Sequence, residues 1–149
     1  MRISNTIEIR NTPATVFYWL EDPGRAAKWM TSVSTTEILQ KTAGVVGTTF
    51  RETVEENGRG TELRGVVTAF VPNKRLSFHL EGDFNSVDVH YALEEHETST
   101  RLTQRAEIRF KGTSSLLGIF FAPVVRKKLL QQARGELAVL KKLCEQEAL

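Results

Sequence analysis

The chain has 149 residues, 40% hydrophobic and 26% charged, with a net charge of +2. This length suits one domain, residues 1–149, with a core large enough to enclose a cavity. The near-neutral charge argues against nucleic acid as a partner, and no run approaches the roughly 18 apolar residues of a membrane span.

Ile3, Asn5, Ile7 and Ile9 alternate with Ser4, Thr6, Glu8 and Arg10, the period of a strand with one buried face. Thr12-Pro13 then reads as a helix start, with Thr12 as N-cap and Pro13 at the first helical position. Asp22-Pro23-Gly24 interrupts that helix, and a second short one is expected from about Gly24 to Met30. From Val33 onward strands and turns repeat: Ser34–Leu39, Gly47–Val54, Thr61–Val71, Arg75–Leu80, Val87–Leu93 and Arg101–Phe110. Asn57-Gly58 is the clearest hairpin signal, with Pro72-Asn73, Gly82-Asp83 and the polar run Glu94–Thr100 at the other turns.

After Gly112 the period changes. Leu130, Ala133, Leu137, Leu140 and Cys144 are spaced 3, 4, 3, 4, the stripe of an amphipathic helix. Pro123 suits its first turn, and Glu136, Lys141, Lys142 and Glu145 fit a solvated face. The expected class is therefore α+β: seven antiparallel strands wrapped around one long C-terminal helix, with two short helices after strand one. A sheet curved around a single helix leaves a gap between them, a natural place for a ligand. Cys144 has no partner for an internal disulfide, and the N-terminus has no apolar leader block; both point to the cytoplasm.

Several segments carry a family resemblance. They are Ile7-Glu8-Ile9, Pro13-Ala14-Thr15-Val16-Phe17, Asp22-Pro23, Lys28-Trp29-Met30, Val46-Gly47-Thr48-Thr49-Phe50, Pro72 to Phe78, Thr100-Arg101-Leu102-Thr103 and the Leu137–Leu143 helix. In these the chain resembles the START-like superfamily, also described as SRPBCC or polyketide cyclase/dehydrase and lipid-transport proteins. The resemblance spans nearly the whole chain but rests on turns, core anchors and helix starts, which specify a fold rather than a ligand. It implies a helix-grip fold with a deep apolar pocket. Family members bind lipids, sterols, polyketides or plant hormones, and a minority catalyse cyclisation or dehydration. No catalytic motif of an enzymatic branch aligns, so no catalytic residue is carried over.

Strand alternation indicates which polar groups turn inward. Asn5 shares a face with the isoleucines of the first strand. Val46, Thr48, Phe50, Glu52 and Val54 form a second inward set, Val87, Val89, Tyr91 and Leu93 a third, and Leu102, Gln104, Ala106, Ile108 and Phe110 a fourth. Asn5, Glu52, Tyr91 and Gln104 are thus the expected polar groups of the pocket, where each needs a partner or a ligand. A bulge would turn Glu52 outward, and Tyr91 with Gln104 could simply satisfy one another. The strand Thr61–Val71 is apolar on both faces and yields no assignment. Trp29 and Met30 suit either a pocket rim or an anchor for the short helix.

Other chemistries find no support. His79 and His90 should point outward, His96 lies in a polar hairpin, and none sits at zinc-ligand spacing. The serines lack a nucleophile elbow, the glycines make no phosphate loop, and nothing calls for a cofactor. Cys144 lies on the apolar stripe and reads as an inert buried thiol. Leu116 to Phe121 is strongly apolar and precedes Arg126-Lys127-Lys128, a pattern that suits peripheral membrane contact or a lid, or else pocket lining by Leu117, Phe120 and Phe121. The reading that covers most of these residues is binding or transport of a small hydrophobic ligand, lipid, polyketide or isoprenoid-like. The alternatives are a cyclase or dehydratase using Glu52 or Tyr91 as acid/base, and a module presenting a lipid to a membrane or protein.

Overall fold

The computed structural model describes residues 1–56, 58–112 and 122–146. Strand β1 (Arg2–Ile9) leads into α1 (Pro13–Glu21) and α2 (Pro23–Ala26). Six strands follow: β2 (Val33–Gln40), β3 (Thr49–Glu56), β4 (Arg59–Val71), β5 (Arg75–Glu81), β6 (Asn85–His96) and β7 (Ser99–Phe110). The last described element is α3 (Ala122–Gln146). No described helix is long and apolar enough to cross a membrane.

Local chemistry sets the element boundaries. Thr12 caps α1 by accepting from the Thr15 amide at 3.3 Å, with Pro13 at the first helical position. Pro23 disfavours helical backbone at Asp22, so α1 stops there. The Asp22 carboxylate then caps the next helix through the Gly24 amide at 2.7 Å. That helix ends at Ala26, short of the expected Met30, and hydrogen-bonded turns carry the chain through Trp29. Gly58 (φ +78°) and Asn73 (φ +64°) supply left-handed backbone at two hairpin turns; Asn57 lies outside the described residues.

All seven strands are antiparallel in the order β1-β7-β6-β5-β4-β3-β2. Hairpins link β2 through β7, whereas β1 pairs with β7, so β1 and β2 form opposite edges. The α1–α2 segment spans the distance between those edges. Register shifts at Val33/Thr35 and Ile38/Gln40 in β2 and at Val67/Ala69 in β4 bend the sheet. Its inner face meets α3, which buries Leu137, Leu140 and Cys144. At its far end α3 is tied to the β1 edge by Asn11 Nδ2 donating to the Cys144 carbonyl at 2.8 Å and Lys141 Nζ donating to the Glu8 carbonyl at 2.6 Å. This is the helix-grip arrangement.

One expectation for α3 is overturned. Glu136 is buried, not solvated. Its Oε1 accepts from Thr31 Oγ1 at 3.2 Å, Ser32 N at 3.3 Å, Ser32 Oγ at 3.1 Å and Gln132 Nε2 at 3.3 Å. That many donors offset the loss of water, which is how a charged group can sit against a core.

Candidate functional site

Trp29 organises one wall of the interior. Its indole Nε1 donates to the Trp19 carbonyl at 2.9 Å, and Arg25 Nε donates to the Tyr18 carbonyl at 2.7 Å. Both carbonyls lie in the last turn of α1, where no intrahelical donor remains. Trp29 is thereby held almost fully buried, as an anchor and a wall rather than a rim. Its ring meets Tyr91 edge-on at 6.3 Å; Tyr91 lies 6.1 Å from Phe78, and Phe78 is edge-on to Phe50 at 5.8 Å. Four rings from four parts of the chain form a continuous aromatic surface.

That surface borders a cavity of about 120 Å³. The short-helix segment contributes Leu20, Ala26, Trp29 and Met30, the β2 edge Val33, Thr36 and Ile38, and the inner strands Phe50, Glu52, Val67, Phe70, Leu76, Phe78 and Tyr91. Among the described residues, none of α3 reaches its wall. The expected position between sheet and long helix is therefore corrected: the cavity lies between the β2–β6 part of the sheet and the short helices. The reason is packing, since α3 rests along the β1 edge and α1, leaving the opposite part of the inner face to the α1–α2 segment.

The predicted residues divide into three groups. Trp29, Phe50, Glu52 and Tyr91 line the cavity. Asn5 and Gln104 turn to the interior but stand off the wall, in a row Asn5–Gln104–Tyr91 across three paired strands. Gln104 Nε2 donates to the Tyr91 hydroxyl at 3.1 Å, while Asn5 Nδ2 and Gln104 Oε1 are buried without a hydrogen-bond partner among the described residues. Leu117, Phe120 and Phe121, with the rest of Leu116 to Phe121, lie outside the described residues. Val46 is exposed rather than inward, because β3 begins only at Thr49.

Sequence reasoning passed over Val67 and Phe70 because their strand is apolar on both faces; the β4 bulge between Val67 and Ala69 is what turns both inward. Phe78 carried a usable signal, since it alternates with the buried Leu76 and Leu80. Glu136 carried none that distinguishes it from a solvated helix residue. His79, as expected, faces away from the cavity: it is held by Asp88 and Glu81, each at 2.6 Å, and those carboxylates raise its pKa.

Glu52 is the unusual group on the wall. It is 7% exposed, lies between Thr36 of β2 and Leu63 of β4 in register, and forms no hydrogen bond or ion pair with the described residues. Burial, reinforced by the nearby charge of Glu136, pushes its carboxyl up to about 7. Burial also drives the Tyr91 hydroxyl far above its ordinary value, opposed only by the Gln104 hydrogen bond, so Tyr91 stays neutral at physiological pH. The cavity thus combines an apolar, aromatic body with one carboxyl poised between its two protonation states.

Comparison with known proteins agrees with this architecture. Residues 1–145 match the family model described as polyketide cyclase / dehydrase and lipid transport. A START superfamily protein from Mycobacterium smegmatis is similar with a TM-score of 0.80 at 18% identity, with 97% of each chain covered. Zhui aromatase/cyclase from Streptomyces sp. R1128 gives 0.82 at 11% identity, covering 100% of this chain and 96% of that one. The di-domain ARO/CYC StfQ from the steffimycin biosynthetic pathway gives 0.82 at 13% identity, covering 99% of this chain and 52% of that one. At such identities these structures establish the shared fold alone. No curated protein is detectably similar in sequence. With a match over residues 1–145 and the helix-grip architecture in place, the chain belongs to the polyketide cyclase/dehydrase and lipid transport family.

Proposed function

We propose that the protein binds a small hydrophobic molecule in the cavity beneath its short helices. The observation carrying this reading is the wall itself, where aromatic and aliphatic side chains from β2 to β6 and the Trp29 segment converge on about 120 Å³. An apolar cavity of roughly 150 Å³ in another protein is enough to hold a benzene molecule, so this one suits a single ring or a short branched chain. Native mass spectrometry of the purified protein tests the reading. A retained apolar mass, displaced by small ring compounds, supports it, and a protein that binds none of them contradicts it.

A second reading has its own support. Glu52 titrating near neutrality beside the neutral Tyr91 hydroxyl is suited to moving a proton in a cyclisation or dehydration. Under this reading Glu52 exchanges the proton and Tyr91 donates a hydrogen bond to a substrate oxygen. Its test is conversion of an acyclic polyketone surrogate, followed by mass loss of water, and conversion that persists in Glu52→Gln would rule it out.

A further inference from the structure

We infer that the ligand of this cavity is a cation: an apolar molecule carrying a protonated amine, which Glu52 pairs with from the wall while the aromatic rings face its charge. The inference rests on the reading of the cavity as a ligand site and adds the chemical class of its occupant.

Three observations lead there. Glu52 is more than nine-tenths buried, lines the cavity, and has no hydrogen-bond or ion-pair partner among the described residues. A buried carboxyl in that state lacks the counter-charge that normally accompanies it. Second, the charge around it has one sign. Among the described residues, the only charged ones on the wall are Glu52 and Glu21, and Glu21 already meets Arg25 at 3.4 Å. The elements packed about Glu52 bring Thr36 from β2, Leu63 from β4, the neutral Tyr91 from β6 and Glu136 from α3. Of these only Glu136 adds charge, and it is negative. Third, Trp29, Phe50, Phe78 and Tyr91 form the adjoining wall. Ring faces carry partial negative charge and attract an ammonium group.

These features act together. Glu52 on the wall, with the charge of Glu136 nearby, makes the interior negative, which draws in a cation and repels carboxylate-bearing lipids. An entering ammonium would supply the counter-charge and hold Glu52 ionised. Binding therefore displaces the proton that Glu52 carries in part of the population near neutrality.

The experiment compares three ring compounds of nearly equal size, benzylamine, benzyl alcohol and benzoate, titrated into the full chain at pH 7 with the cavity-wall resonances followed by NMR. Benzylamine is expected to bind at least about tenfold more tightly than benzyl alcohol, and benzoate most weakly. Glu52→Gln, which keeps the shape, should bring the amine and alcohol affinities within about twofold of each other. On the unaltered protein, calorimetry in two buffers of different ionisation enthalpy should show proton release with benzylamine, and the amine should bind more tightly as pH rises from about 6 to about 8. This readout stands even if the variant fails to fold. Alcohol binding as tightly as amine, tighter benzoate binding, or proton uptake would overturn the inference while leaving the cavity as a ligand site. If none of the three binds, the cavity reading itself falls, and the inference with it.

Discussion

Gln104 of β7 donates Nε2 to the hydroxyl of Tyr91, its register partner on β6, at 3.1 Å, and so supplies a polar partner to a buried phenol. Tyr91→Phe removes the acceptor and leaves the buried Gln104 amide unpaired, with an expected loss of about 1–3 kcal/mol. Adding Gln104→Leu should recover much of that loss, because replacing both partners removes the unpaired polar atoms together. A double-mutant cycle by urea denaturation measures this, and a double-variant loss equal to the sum of the two single losses would show that the bond has no energetic role.

Glu52 makes stability fall with rising pH. The native state keeps its proton up to about 7, whereas the unfolded chain releases it near the ordinary value of 4.5. Between those values the unfolded state binds fewer protons, so stability declines through the window and then levels off. The full effect is on the order of 3 kcal/mol. Glu52→Gln has no such proton to lose, so its stability advantage over the wild type should grow from pH 5 to about pH 8. Denaturation curves across that range check the trend, and a constant difference would place the Glu52 carboxyl in contact with water.

Leu137 anchors α3 to the inner sheet face and is 2% exposed. Leu137→Ala should cost about 2–5 kcal/mol, the range for a buried leucine whose surroundings relax only partly. A loss below about half a kcal/mol, typical of an exposed position, would mean that the helix turns a different face to the sheet.

Gly65 makes room for the Phe50 ring. The two are register partners on β4 and β3, and a Cβ at Gly65 would fall 2.2 Å from Phe50 Cζ. Gly65→Ala must therefore push the ring from its place, at an expected cost of about 1–3 kcal/mol. Because Phe50 lines the cavity, the same change should alter ligand affinity. A Gly65→Ala protein with a shifted Phe50 resonance but unchanged stability would show the ring to be loosely held.

The sequence by itself determined the order of elements and the facing of regular strands. Alternation needs only the pleat, so Asn5, Phe50, Glu52, Tyr91 and Gln104 could be assigned inward from local spacing alone. The Thr12-Pro13 and Asp22-Pro23 signals likewise act through neighbouring backbone, and the elements start and stop where they fall. Tertiary structure decided what depends on distant partners. Glu136 lies beside the apolar stripe of α3, and its burial depends on Thr31 and Ser32, more than 100 residues away, presenting donors to it. The β4 bulge, invisible to a strict period of two, turned both Val67 and Phe70 inward. The cavity owes its position to the packing of α3 along the β1 edge, which left the space beside Glu52 to Trp29 and the short helices. A side chain's direction is local, whereas what it meets is set by elements that sequence spacing does not bring together.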